Sequence, residues 1–387
     1  MSEPAISSSG VPAADVPDGG APAPGGDGVA APAVNAVADQ VGEPAVVKSV
    51  AAERGPLVLE AVGIDKVFKL GRGKVLQAVR NVSFGLYQGA VVALVGESGS
   101  GKSTVAKLLA GQERLSGGTI TLHGKPVDVR GNRAFRRYKS EVQYVFQDPF
   151  GSLNPVHSVD YHLTRPVRLH QPGNKDVPGT VTALLEQVRL TPAAQFAVKY
   201  PHELSGGQRQ RVSFARALAA RPTVLLADEP VSMLDVSIRL EMLNLLDDLR
   251  SRLFLALLYI THDIASARYF ADEVLVMYGG QIVERGPAED VTQRPAPPYT
   301  QLLIASAPDP DDLGSVLKSV NVATGGGAGR AGNVGPAATG CPFSNRCPLV
   351  IDKCKQDNPA LQLLTPTRAA ACWRLDVAAP SVTGSAV

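Results

Sequence analysis

The chain has 387 residues, 44% of them hydrophobic, and 38 Lys and Arg against 36 Asp and Glu leave a net charge of +2. That length suits two or three domains with a sizeable core, and the near-neutral charge lacks the basic excess on which nucleic-acid binding relies. No uncharged apolar run is long enough to cross a bilayer, and the start Met1-Ser2-Glu3 does not resemble a secretory signal, so a membrane role is expected only through partner subunits.

Residues 1–55 are rich in Ala, Pro, Gly and Val with almost no aromatic side chain, too little apolar area to offset ordering, and read as a disordered leader. Leu57 to Val62 and Val79 to Leu86 read as strands, and Val91 to Val95 is an apolar run that leads into Gly96-Glu97-Ser98-Gly99-Ser100-Gly101-Lys102-Ser103-Thr104. That segment has the spacing G-x-x-x-x-G-K-[ST] of a phosphate loop, between a strand and a helix predicted over Ser103 to Ala110. Small residues let consecutive backbone N–H groups curl around a polyphosphate. Lys102 is expected on the β- and γ-phosphates and Ser103 on Mg2+, with the positive end of the following helix adding to the grip on the phosphates.

Thr119 to His123 and Val142 to Phe146 read as further strands, and Gln147 closes the second, in reach of both metal and attacking water. The stretch from Asp148 to Arg221 reads as mostly helical and contains Leu204-Ser205-Gly206-Gly207-Gln208. Ser205 as helix N-cap, followed by exposed glycine N–H groups, makes a second anion site. It has no phosphate of its own to bind, so it is expected to face a nucleotide held by another subunit. The buried strand Val224 to Ala227 ends at Asp228-Glu229, and Leu257 to Thr261 ends at His262. Carboxylates at the C-terminal end of such a strand fit Asp228 as a Mg2+ ligand through water and Glu229 as general base, with His262 on the γ-phosphate. Val274 to Tyr278 and Gln281 to Glu284 flank Gly279-Gly280 as a hairpin. Residues 308–340 read as a flexible linker, 341–374 as an extension holding all four cysteines, and 375–387 as a disordered tail.

In their order these motifs resemble the ATP-binding-cassette (ABC) ATPases over about Leu57 to Pro308. The resemblance implies an α/β phosphate-loop fold with a RecA-like core sheet, an antiparallel β subdomain and a helical signature subdomain at about 148–221, in a domain spanning 56–307. It also implies that Phe68 stacks on adenine and that Asp235, in Ser232-Met233-Leu234-Asp235, crosses the dimer interface. Met233 stands there where the family usually has a small residue. The segments Val145 to Pro155, Tyr200-Pro201-His202-Glu203 and Pro298-Tyr299-Thr300 resemble the oligopeptide and dipeptide importer branch. That branch implies a paralogous second ATPase, two transmembrane permeases, an extracytoplasmic binding protein and a place on the cytoplasmic face of the membrane.

Cys341, Cys347, Cys354 and Cys372 are the only cysteines. Four thiols in one short tail suggest a shared ligand set, for an iron–sulfur cluster or for zinc, although paired C-x-x-C loops are missing. The tail resembles the C-terminal extension of peptide-importer ATPases, which in some members binds a 4Fe–4S cluster. Two other readings stay open. One is a soluble cassette ATPase acting on nucleic acid or ribosomes, disfavoured by the single cassette and by little more than a hundred residues between Lys102 and Asp228. The other is an importer ATPase of the same branch for a metal, a sugar or glutathione.

Overall fold

The computed structural model describes residues 49–71, 74–127, 132–306 and 339–378. Nearly all of the expected leader, most of the linker and residues 379–387 of the tail therefore lie outside the described residues. Within residues 49–55 of the expected leader, Ala51 in the short turn Val50–Glu53 is buried and Arg54 pairs with Asp272 at 2.7 Å.

The described strands form a four-stranded sheet in the order β2-β1-β4-β5 and an eight-stranded sheet in the order β11-β12-β10-β9-β3-β8-β7-β6. In the first, β1 (Leu57–Gly71), β2 (Lys74–Tyr87), β4 (Gly117–Leu122) and β5 (Lys125–Pro126) all pair antiparallel. The second has a parallel centre made of β3 (Val91–Val95), β6 (Val142–Val145), β7 (Val224–Asp228), β8 (Ala256–Thr261) and β9 (Glu273–Tyr278). Every residue of β3, β7 and β8 is buried, as expected of parallel strands covered on both faces.

Successive side chains of a strand point to opposite faces, and β3 shows what this achieves. Val92 and Leu94 join a core with Leu59, Ile64 and Leu86 of the small sheet and with Val105 and Leu109 of α1 (Lys102–Leu109). Val91, Ala93 and Val95 join the other core, on the helical side. There they meet Leu163 and Val167 of α4 (Val159–His170), Leu184 and Leu185 of α5 (Val177–Gln187) and Phe214 of α7 (Gly206–Leu218). Between β6 and α4 lie α2 (Asn132–Glu141), which leads into β6, and the short α3 (Pro149–Ser152); α6 (Ala193–Ala197) follows α5. Within the predicted helical stretch after Asp148, α7 packs against β6, and α3, α4 and α5 pack against α7.

β10 (Gln281–Pro287) returns antiparallel on β9 through Gly279-Gly280, the predicted hairpin. α8 (Val236–Leu253) connects β7 to β8 and α9 (Ile264–Phe270) connects β8 to β9, while α10 (Ala288–Gln293) and α11 (Pro298–Ala305) follow β10. Residues of the cysteine extension continue the same sheet: β12 (Arg368–Ala370) pairs with β10, and β11 (Gln362–Thr365) with β12. The guanidinium of Arg368, 1% exposed, meets the carboxylate of Glu284, 0% exposed, at 2.6 Å. No helix among the described residues is long and apolar enough to cross a membrane.

Candidate functional site

Parallel strands bring their C-terminal ends to one edge, and the predicted chemistry collects there. The loop 96–104 follows β3, His262 follows β8, Asp228 and Glu229 end β7, and Gln147 comes just after β6. The loop's curl is a backbone property. Gly96, Gly99 and Gly101 have φ of 153°, 79° and 106°, and a Cβ at Gly101 would meet the Ala78 carbonyl oxygen at 2.3 Å, so a side chain is excluded by both conformation and space. The Ser100 hydroxyl is buried without a hydrogen-bond partner, a polar atom inside a cradle of backbone donors.

Lys102 is buried and donates from Nζ to the carbonyl oxygens of Gly96 at 2.7 Å and Glu97 at 3.0 Å. Burial lowers its pKa, and the nearby Glu229, Asp228 and Glu97 carboxylates oppose that shift. The Ser103 hydroxyl donates to Asp228 Oδ1 at 3.1 Å, and the Tyr144 hydroxyl donates to Oδ2 at 2.6 Å. Burial raises the Asp228 pKa while both hydrogen bonds pull it down. A hydroxyl and a carboxylate side by side are the hard oxygen donors that Mg2+ prefers, so these residues fit that ion.

Glu229 is held from two sides. Gln147 Nε2 donates to one carboxylate oxygen at 2.8 Å, and His262 Nδ1 lies 3.3 Å from the other. Its backbone sits at φ 45°, in the left-handed region that costs a non-glycine residue about 1 kcal/mol or more, so the position is over-determined by its surroundings. One of these is the Ile260 carbonyl on β8, which accepts from the Glu229 N–H at 2.9 Å. Glu229 is therefore in contact with both of the other residues expected to act on water.

The other predicted residues lie further out. Phe68 is half-buried on β1, with the Lys66 ammonium 4.7 Å from its ring centroid. Ser205 caps α7: its hydroxyl accepts from the Gln208 N–H at 3.3 Å, and Gln208 Oε1 accepts from the Ser205 N–H at 3.1 Å. Gly207 packs on α8, where a Cβ would meet Ile238 at 2.9 Å. Asp235 is exposed at the N-cap of α8, and Met233 beside it is 58% exposed. Among the described residues no hydrogen bond or ion pair joins Ser205–Gln208 to the loop 96–104.

The four cysteines converge: Cys341, Cys347, Cys354 and Cys372 line one cavity of about 30 Å3 with Phe343, Tyr299 and Trp373. All four thiols are free, and burial pushes Cys341 up to about 11. Backbone N–H groups of Phe343, Leu349 and Arg374 reach the sulfurs of Cys341, Cys347 and Cys372. Among the described residues no three His, Cys, Asp or Glu side chains are grouped closely enough to hold a metal ion. The four sulfurs nonetheless line one apolar space, and three of them have a backbone N–H beside them.

Three contacts here were not foreseen: Tyr144 on Asp228, and Tyr299 and Arg346 on Glu97. For Tyr144 the available signal was its place in the strand that Gln147 closes. For the other two, 202 and 249 residues of separation leave no local signal.

Comparison with known proteins agrees with this geometry. The ABC transporter family model matches residues 79–232, and the model of the oligopeptide/dipeptide transporter C-terminal region matches 283–354. A putative peptide import ATP-binding protein of Brucella ovis is 39% identical over 320 residues, 82% of this chain and 98% of that protein. The glutathione import ATP-binding protein GsiA of Salmonella choleraesuis is 42% identical over 264 residues, 66% of this chain and 42% of that protein. Among solved structures, the dimeric ATP-binding cassette MJ0796 bound to ADP and Pi aligns with TM-score 0.54 and 26% identity, covering 59% of this chain and 98% of that one.

Proposed function

This chain belongs to the family of ABC transporter ATP-binding proteins, in the branch of oligopeptide and dipeptide importers, and from that premise we propose that its ATP hydrolysis drives inward transport of a peptide through two membrane permeases. In this reading the protein works as a dimer at the cytoplasmic face of the membrane. Its second ATPase is a paralogue, and an extracytoplasmic binding protein delivers the solute. Selectivity for peptide over glutathione resides in those other chains.

ATP is the substrate, and each residue has a task. Phe68 lies against adenine, while the N–H groups of residues 96–104 and the Lys102 ammonium grip the β- and γ-phosphates. Ser103, Asp228 and Gln147 hold Mg2+, which when bound neutralises phosphate charge. Glu229 takes a proton from the attacking water as the new oxygen–phosphorus bond forms and the bond to the β-phosphate oxygen breaks. His262 and Gln147 keep that carboxylate aimed. Ser205, Gly206, Gly207 and Gln208 of one subunit, with Asp235, complete the site of the other, so reaction waits for closure. Cys341, Cys347, Cys354 and Cys372 would hold a 4Fe–4S cluster, or zinc as the alternative, whose task would be to stabilise the extension.

The observation that carries the reading is the Glu229 carboxylate clamped between Gln147 and His262 at the strand edge that bears the glycine loop. Glu229→Gln keeps the shape and removes the base. Turnover of MgATP is expected to fall by roughly 10²- to 10⁴-fold with nucleotide still bound and the dimer held closed. Steady-state hydrolysis combined with nucleotide retention on a sizing column measures both; turnover at the wild-type rate takes Glu229 out of the mechanism.

A further inference from the structure

Glu97, the second residue of the glycine loop, is held at three points. Its carbonyl accepts from Lys102 at 3.0 Å, within the loop itself. Its N–H donates to the hydroxyl of Tyr299, on α11, at 3.0 Å. Its carboxylate accepts two parallel hydrogen bonds from the Arg346 guanidinium, at 2.8 and 2.9 Å. The last two partners come from outside the motifs that define the nucleotide site. Arg346 is the neighbour of Cys347 in the cysteine extension.

The guanidinium is seated rather than loose. It lies 5.6 Å from the Phe343 ring centroid, and Phe343 packs edge-on against Tyr299 and Tyr278, each at 5.4 Å. Tyr278 and Tyr299 are themselves 4.4 Å apart. Beside them Gly279 leaves no room for a Cβ, which would meet Pro342 at 2.9 Å. Phe343 also lines the cysteine cavity, so one set of aromatic rings touches the cavity on one side and the residues gripping Glu97 on the other.

We infer that Arg346 is a positioning residue for the phosphate loop: by holding Glu97 it sets the loop's shape, and nucleotide affinity thereby depends on how the cysteine extension is seated. Lys102 must leave the carbonyls of Gly96 and Glu97 to reach a phosphate, and at that moment the loop loses an internal brace. Tyr299 and Arg346 hold Glu97 from outside while the lysine swings. The pair is partly exposed, at 46% for Arg346 and 32% for Glu97, so its effect is modest. The bidentate fork fixes direction as well as charge, which a lysine cannot reproduce.

This inference rests on the loop being a nucleotide site, and the experiment separates the two. Equilibrium binding of a fluorescent ATP analogue with Mg2+ is measured on the full chain as wild type, Arg346→Ala, Arg346→Lys, Glu97→Gln and the Arg346→Ala/Glu97→Gln double variant. Arg346→Ala is expected to weaken binding about three- to tenfold, with kcat at saturating ATP within about twofold of wild type. Arg346→Lys recovers only part of the loss. Because both changes break one contact, the double variant is expected to bind no more weakly than the worse single one. Wild-type affinity in Arg346→Ala, or losses that multiply in the double variant, overturns the positioning role. A wild-type chain that binds no nucleotide overturns instead the reading of the loop beneath it.

Discussion

Tyr144 and Asp228 show how one hydroxyl tunes an ionisable group. Burial favours the neutral carboxyl of Asp228, and the hydrogen bonds from Tyr144 and Ser103 favour its charged form. Only the charged form ligates Mg2+ well. Tyr144→Phe removes one of the two bonds, so the Asp228 pKa rises further and the carboxylate is protonated at less acidic pH. The acid limb of the pH profile of kcat/KM for MgATP is therefore expected to move toward neutral pH, with about a tenfold loss on the acid side and little change above neutrality. An unchanged profile means that Ser103 and the Lys102 ammonium keep Asp228 charged without Tyr144. At this scale the sequence was legible where chemistry imposes spacing. Lys102 and Ser103 are marked by their loop, and Asp228-Glu229 by the strand they end. Tyr144 carried no such mark, because its function depends on β6 lying beside β7, a pairing that local pattern does not encode.

The start of α7 is a capping box, with Ser205 and Gln208 satisfying each other's N–H groups, and its remaining N-terminal donors are left for another partner. Ser205→Glu removes the cap, at a cost of about 1 kcal/mol, and puts a negative charge where a phosphate from the other subunit would approach. In a dimer carrying the change on one subunit, hydrolysis at the half-site facing that subunit is expected to drop by 100-fold or more, while the remaining half-site still turns over. Single-turnover assays on mixed dimers read this directly, and equal loss at both half-sites removes the cross-subunit role. The elements themselves were legible where apolar runs are long. β3, β7 and β8 are continuous hydrophobic stretches, and the hairpin glycines fix β9 and β10. β1 runs to Gly71, well past the predicted Val62, because its outer half is bulged and exposed, with Leu70 52% exposed, and lacks alternation. β11 and β12 have four and three residues, too few for any period, and Arg368 in β12 reads as a surface residue although it is among the most buried side chains.

For the molecule as a whole, the extension poses a problem of size. Its own buried apolar cluster is Leu364, Ala370 and Leu375 with Ala296 of the main domain, far too little to hold a fold of its own. Two devices compensate. One is the sheet edge, where β12 pairs with β10 and Arg368 meets Glu284; removing one partner of such a buried pair costs about 3–5 kcal/mol. The other is the cysteine cavity, whose thiols are unlinked, with burial raising the pKa of Cys341, Cys347 and Cys372, so without a bound group they contribute little cohesion. A cluster ligated there would tie residues 341, 347, 354 and 372 into one closed unit, and every loop between them would gain from that closure. The full chain purified without oxygen is therefore expected to be brown, with about four iron and four sulfide per chain. Cys354→Ser is expected to lose the colour and to become protease-sensitive within 339–378, while the cassette stays folded and binds nucleotide, more weakly if Arg346 loses its seat. Colourless, iron-free wild-type protein with an equally protease-resistant extension excludes the cluster, and stoichiometric zinc in that protein assigns the cavity to a single ion instead.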